Sequence, residues 1–453
     1  MQPSIRCKIY KNKNYAHFDD KLHWRYIYKQ VEDPEFIKKH GFYPFIYYVQ
    51  KSEKFPKKFK STDGERSNPK LRPIMYSAHI DRYIYEYYSW LWNMKYNEVA
   101  KKSGINNCVI AYRQQNGHRS NIHFAKEVFS FIKSLSECTI IVGDFTEYFD
   151  HIDHAYLKSR LCEILDVDRL PDDYFAVFKS ITKYNYVERD SLISVKGITR
   201  RQFFELPRVF STVEFHKYKS LIQKNQHNYG IPQGSAISAF FSNAYMYQAD
   251  MSLNNFITGL GGLYRRYCDD FVVVIPSSDN LLAKKVWSVI KDILSSVGQS
   301  GVDLNQNKTK VFTCIDNKIE SKNCLLFENP IESANLLSYL GFTFDGESIR
   351  IRQKTISKFY SRMYRKIDRI KELKGKSKSG KIIPMSNLYR LYSHYGVNPK
   401  GRWKKRYKGK QGNFLKYVEH ADSVFGNESG IGMDTRRAWS KLQKRLHSTK
   451  KRD

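Results

Sequence analysis

The chain is 453 residues long, and its 77 Lys and Arg against 45 Asp and Glu leave a formal net charge of +32. Hydrophobic residues at 41% and aromatics at 15% are too many for a disordered polyelectrolyte, and 24 Gly and 13 Pro are too few for a low-complexity or collagen-like chain. No run approaches the roughly 18 apolar residues of a membrane span, and Met1–Tyr10 lacks the apolar core of a signal peptide. A folded, basic, cytoplasmic protein with no membrane partner is expected. Such an excess of positive charge calls for a polyanionic counterpart, and nucleic acid supplies one. The seven cysteines are scattered without a CxxC pair, which suits reduced thiols better than a disulfide framework or a zinc site.

Residues 1–60 are rich in Lys, Tyr and Phe without a clear period and read as an extension packed on the following unit. Cys138–Gly143 is a short apolar run ending at the acidic Asp144, as expected of a buried strand. Ser235 to about Met251 is small and apolar after a Gly/Pro turn, which predicts a buried helix capped by Ser235. Leu263–Tyr267 and Phe271–Ile275 are strand-like runs separated only by Cys268, Asp269 and Asp270, which predicts a hairpin. A division is expected near residue 346, after the apolar stretch Leu336–Phe344, giving units at 61–345 and 346–453. Beyond it, Ile356, Phe359, Met363, Ile367 and Ile370 recur at steps of three and four, the signature of an amphipathic helix over Thr355–Leu373. From Ile351 to the end, 29 Lys and Arg face 7 Asp and Glu, so this unit carries +22 of the charge. Its cations include Arg362, Arg365 and Arg369, then Arg402, Lys404, Lys405 and Arg406 with Trp403 and Tyr407 interleaved. Cations mixed with flat rings suit a phosphate backbone and its bases, so these seven are expected to bind RNA. Strands and helices mixed in this way, some strands adjacent and antiparallel, indicate the α+β class.

Acidic residues are scarce enough for their clusters to stand out. Asp269 and Asp270 repel each other at an apolar hairpin tip, where a turn would ordinarily take one Asp followed by Gly. A divalent cation removes that conflict, and a third carboxylate from a neighbouring strand end, Asp144, completes the set that two-metal phosphoryl or nucleotidyl transfer requires. His151 and His154, with Asp150 and Asp153, could be drawn as a zinc site but read better as structural. Arg266 reads as a strand-face or template contact.

Tyr267-Cys268-Asp269-Asp270 resembles the YxDD motif of reverse transcriptases, and Asp144–His154 resembles their preceding acidic motif, close to the form in group II intron and retron enzymes. Gly230–Ser235 (GIPQGS), Asn307–Lys310, Tyr339–Phe342, Lys70–Pro73 and Tyr112-Arg113 resemble further motifs of that family, in the family's order. The resemblance implies a right-hand polymerase, with fingers and an RRM-like antiparallel palm over 61–345 and a basic helical thumb over 346–453. It implies two Mg²⁺ ions, with Mn²⁺ as a substitute, held by Asp144, Asp269, Asp270 and the Phe145 carbonyl. Lys70, Arg72 and Gln233 would hold the deoxynucleoside triphosphate, and Phe149 would exclude a ribose 2′-hydroxyl. Lys308 would protonate the departing pyrophosphate, with Lys310 as its rival, and Tyr339, Leu340, Gly341 and Phe342 would grip the primer. Gly346–Thr355 lacks the VTG of retron enzymes. Lys11–Asp19 and Gly412–Ala421 look more like bacterial defence-associated reverse transcriptases, of which the type 2 subgroup fits best. That likeness implies a structured noncoding RNA as template and partner, a cDNA product and a role against phage. The alternatives are a retron-type or group II-like enzyme with another role, an RNA-templated RNA polymerase, and an RNA-binding module with an inactive palm.

Overall fold

The computed structural model describes residues 3–52, 70–113, 119–327, 334–376, 380–397, 412–426 and 429–448. In chain order the strands are β1 (Phe45–Ser52), β2 (Lys70–Tyr76), β3 (Glu137–Asp144), β4 (Asn185–Glu188), β5 (Gln223–Lys224) and β6 (Leu263–Tyr267). They continue with β7 (Asp270–Ile275), β8 (Lys310–Ile315), β9 (Lys318–Ser321), β10 (Leu337–Tyr339), β11 (Phe342–Phe344) and β12 (Ile349–Ile351). Among the described residues no helix is long and apolar enough to cross a membrane.

At the centre lies a five-stranded sheet in the order β6-β7-β3-β8-β9, antiparallel throughout. Successive side chains on a strand point to opposite faces, and here both faces are buried. Ile141, Phe271, Val273, Ile275 and Val311 join one apolar cluster, while Ile140, Val272, Val274, Phe312 and Cys314 join another. That double burial is why β3 and β7 read as unbroken apolar runs rather than alternating ones. The first face is covered by the helices His154–Leu165, Ala236–Tyr245, Tyr247–Gly259 and Asn280–Ser295. The second is covered by the helix Asn121–Lys133, the small antiparallel sheet β10-β11-β12 and the helix Gln353–Glu372.

The amphipathic period beyond residue 350 is realised in Gln353–Glu372, which buries Ile356, Phe359, Met363, Ile367 and Ile370 and leaves Arg362, Arg365 and Arg369 exposed. The expected division at 346 falls in the turn between β11 and β12. The expected helix from Ser235 to Met251 is instead two helices, Ala236–Tyr245 and Tyr247–Gly259, separated at Met246, whose ψ of 4° leaves the helical range. Ser235 stands at the N-cap position but makes no side-chain cap bond, and its buried hydroxyl has no hydrogen-bond partner.

A second sheet, ordered β2-β1-β4-β5, pairs β1 in parallel with β4 and is otherwise antiparallel. After β2 comes the 24-residue helix His79–Lys102, which buries Tyr83, Tyr85, Tyr88, Trp92 and Tyr96. Its first amides are capped from 60 residues upstream. The Asp19 carboxylate accepts from the backbone N–H of His79 (3.0 Å) and Ile80 (2.9 Å), which places an anion at the positive end of the helix. The segment Lys11–Asp19 thus has a structural duty here.

His17, in the same segment, is fully buried and held in one neutral tautomer. Its Nδ1 accepts from the Phe18 amide at 2.8 Å, and its Nε2 faces the Tyr76 carbonyl at 3.1 Å as donor. A second proton would sit on Nδ1 against an N–H, and desolvation already pushes this imidazole down to about 3. The unfolded chain therefore takes up the proton near pH 6.5 while the folded one does not, so stability is full above that pH and falls as the solution is acidified. Denaturant titrations of the wild-type chain and His17→Gln at pH 6.5 and 5.5 should show the wild type losing about 1 kcal/mol more than the variant over that unit.

Candidate active site at the end of the five-stranded sheet

The register of β3 against β7 sets Asp144 directly opposite Asp270. The hairpin between β6 and β7 closes with Tyr267 opposite Asp270, so Cys268 and Asp269 form a two-residue turn. Cys268 adopts φ 62°, a conformation that glycine takes far more readily. The amide of Phe145 donates to the Asp269 carbonyl at 3.0 Å and ties the turn to the continuation of β3. Three carboxylates from two strand ends and one turn are thereby gathered on one edge.

The segment after β3 is fastened on its other side to residues 303–309. Phe145 bridges Leu304, Thr146 N–H donates to the Asp303 carbonyl (2.9 Å), and Asn305 N–H donates to the Asp144 carbonyl (2.8 Å). These bonds use the carbonyls of Asp144 and Asp303 and leave that of Phe145 out of the bridge. Lys308 N–H turns back onto the Asn305 carbonyl (2.9 Å), and its ammonium forms an ion pair with Asp144 Oδ2. Lys310, its rival, is the first residue of β8, opposite Val142.

Asp270 is pushed up to about 7, first by desolvation and then by repulsion from Asp269 and Asp144, with Lys308 opposing. A carboxyl that is hard to ionise beside two others marks surplus negative charge that a cation would relieve. The donors are all oxygen, which suits a hard divalent ion. Among the described residues no three His, Cys, Asp or Glu side chains already converge as a closed ligand set, and Lys308 serves as the counter-ion of Asp144. The donor set fits Mg²⁺ in its chemistry.

Phe149 lies five residues beyond Asp144, half-buried against the larger apolar cluster, and its carbonyl accepts from Ile231 N–H at 2.9 Å. This fixes the Gly230–Ser235 loop beside it. The same loop is held by Gly230 N–H on the Ile152 carbonyl (2.9 Å) and by the Gln233 carbonyl accepting from Met75 N–H in β2 (2.8 Å). Gly234 (φ 123°) permits that approach, because a Cβ there would come within 2.5 Å of the Met75 carbonyl oxygen. Gln233 is therefore bound through its backbone to the strand that carries Arg72, which is exposed and lies opposite Gln50. The side chain of Lys70 lies outside the described residues.

Tyr339–Phe342 is the β10–β11 hairpin. Leu340 (φ 44°) and Gly341 (φ 94°) form its turn, and Asn121 Nδ2 donates to the Leu340 carbonyl at 3.0 Å and to the Tyr417 hydroxyl at 3.0 Å. Tyr339 and Phe342 are buried, so the turn surface belongs to Leu340 and Gly341. Of the expected RNA contacts, Arg362, Arg365 and Arg369 form the outer stripe of their helix, while Arg402, Lys404, Lys405 and Arg406 lie outside the described residues. Asp153 caps the helix His154–Leu165 by accepting from Tyr156 N–H (2.6 Å), and His154 Nε2 faces the Gly230 carbonyl (2.8 Å), which are structural duties. The Arg113 guanidinium is spent on Asn97, Asn106 and Val109.

One expectation is overturned. Arg266 is neither on an open strand face nor available to a template, because the alternation of β6 turns it inward with Tyr264. It is fully buried on Asp250, with Nε to Oδ1 at 2.8 Å and Nη2 to Oδ2 at 2.6 Å, and its Nη1 donates to the Cys268 carbonyl at 2.8 Å. The signals available in the sequence were that phase with Tyr264 and a lone acid, Asp250, on a helix face otherwise apolar.

No curated protein matches the chain. Among solved structures, apo telomerase from Candida tropicalis is 13% identical with a TM-score of 0.42, over 91% of this chain and 67% of that one. A form of it truncated from the C-terminal domain is 13% identical with a TM-score of 0.39, over 62% and 52%. The RNA-dependent RNA polymerase of a human picobirnavirus is 10% identical with a TM-score of 0.42, over 77% and 54%. The chain spans between about half and two thirds of the length of these proteins. The family described as "Reverse transcriptase (RNA-dependent DNA polymerase)" matches residues 104–344, more than half the chain and all three carboxylates with their supporting loops. The chain belongs to the reverse transcriptase family.

Proposed function

We propose that the chain is an RNA-directed DNA polymerase that copies a structured noncoding RNA into cDNA, in bacterial defence against phage. The observation that carries the polymerase reading is the placement of Asp144 opposite Asp270, with Asp269 in the adjoining turn and Lys308 on Asp144. Asp144, Asp269, Asp270 and the Phe145 carbonyl would hold two Mg²⁺, which when bound lower the pKa of a primer 3′-hydroxyl and offset charge on the phosphates. Arg72, on the strand bonded to the Gly230–Ser235 loop, would grip the triphosphate with its planar fork. Gln233 would meet the sugar and the template pair. Phe149, whose backbone is bonded to that loop, would fill the space of a 2′-hydroxyl. Lys308, whose ammonium pairs with Asp144, would give a proton to the departing pyrophosphate.

The outer stripe Arg362, Arg365 and Arg369 supports an RNA or hybrid-duplex partner on the helical unit. The defence role and the noncoding RNA rest on the likeness of Lys11–Asp19 and Gly412–Ala421 to defence-associated reverse transcriptases.

With purified chain and a primed RNA template, Asp269→Ala and Asp270→Ala should each lower deoxynucleotide incorporation by at least about 10³-fold; unchanged incorporation would remove the catalytic assignment. Phe149→Ala should admit ribonucleotides, and continued strict exclusion in a competition assay would refute the gate. Wild-type incorporation of ribonucleotides in preference would favour an RNA polymerase instead. Replacing Arg362, Arg365 and Arg369 together with Gln should weaken RNA binding. It should also flatten the plot of log K against log salt by up to about 0.9 for each duplex phosphate that is no longer neutralised; a slope equal to that of the wild type would place the RNA elsewhere.

A further inference from the structure

Beneath the carboxylate turn lies a charge pair that water does not reach. Arg266 and Asp250 both have side chains at 0% exposure and meet through two hydrogen bonds. Tyr264 donates its hydroxyl to Asp250 Oδ1 at 2.8 Å, and Arg266 Nη1 reaches Asn243 Oδ1 at 3.4 Å as well as the Cys268 carbonyl. The backbone is pinned too, with Arg266 N–H on the Cys108 carbonyl (2.7 Å) and Ile110 N–H on the Arg266 carbonyl (3.0 Å).

Burying such a pair brings little net stability, since apolar side chains of similar volume often do as well or better. Fold stability alone therefore does not account for it. Its geometry offers a reason: the guanidinium uses two nitrogens on Asp250 and aims the third at the turn that carries Asp269. That turn needs holding. Cys268 sits at φ 62°, and a non-glycine residue persists there when its surroundings over-determine it. The carbonyls of the two turn residues are each taken, Cys268 by Arg266 and Asp269 by the Phe145 amide.

We propose that Arg266, oriented by Asp250, is a positioning residue that fixes the Cys268–Asp269 turn, and with it the placement of Asp269 and Asp270 for binding divalent cations. It touches neither substrate nor metal and acts through the Cys268 carbonyl. The proposal rests on the polymerase reading above for its consequence in turnover, and on metal affinity independently of that reading.

The test compares the wild-type chain with Arg266→Met, Arg266→Lys and the double variant Arg266→Met/Asp250→Leu. Three readouts apply: thermal melting, Mn²⁺ affinity by calorimetry, and kcat and KM for a deoxynucleotide on a primed RNA template. Arg266→Met leaves Asp250 unpaired and should lower the melting temperature as well as turnover. The double variant removes both charges and should regain the melting temperature. It should nevertheless bind Mn²⁺ more weakly than the wild type and turn over about 10²-fold more slowly, with KM for the nucleotide little changed. Arg266→Lys, with charge but no fork, should fall between. A double variant that regains stability, Mn²⁺ affinity and kcat together would overturn the proposal and leave the pair a packing element. Should Arg266→Met not fold, the double and Lys variants decide. If the wild type incorporates nothing, the polymerase reading fails, and equal Mn²⁺ affinity in wild type and double variant would then refute the positioning role on its own.

Discussion

Everything at the site depends on one register, that of β3 against β7. The pairing that puts Asp144 opposite Asp270 also puts Ile141 opposite Val273 and Ile140 opposite Val274, on alternate faces of a sheet buried on both sides. A slip by one residue would turn each of these side chains to the other face and separate the acids. Burial of the apolar rows therefore enforces the meeting of the carboxylates. Three like charges would not gather at a strand end by mutual preference, and the cost of bringing them together is borne by the packing of Val272, Val273 and Val274 with their neighbours.

The charge distribution follows from the same arrangement. Within the site the positive groups are few and directed: Lys308 on Asp144, and Arg266 beneath the turn but neutralised by Asp250. The outer stripe of Gln353–Glu372 is the opposite case, with guanidinium groups turned to solvent and an apolar stripe inward. The overall +32 thus conceals two settings, one in which a cation is buried or held on a carboxylate of the site and one in which cations lie on an exposed helix face.

Much of this was legible in the sequence, wherever the cause is local. The strands β3 and β7 show as apolar runs because they are buried, and the helix Gln353–Glu372 shows as a period because it is buried on one side only. The acids stood out because a paired Asp turn is unfavourable without a cation. What the sequence hid depends on distant partners. Asp19 caps a helix that starts 60 residues later, and nothing near Asp19 announces it. Arg266 looks like one more surface cation until the phase of Tyr264 and the acid at Asp250, sixteen residues earlier, are read together. The break at Met246 likewise interrupts a run whose composition suits one unbroken helix, and the Ser235 hydroxyl stands at a cap position without capping.

The helix Gln353–Glu372 shares one continuous apolar cluster with a face of the five-stranded sheet, through β10, β11, β12 and the helix Asn121–Lys133. Swinging it outward would expose Ile356, Phe359, Met363 and Ile367, each at a cost of about 1.5–3 kcal/mol. The cationic stripe therefore keeps a fixed bearing on the carboxylates. An anion bound along that stripe would meet the carboxylates at a separation set by the packing of this cluster rather than by the anion.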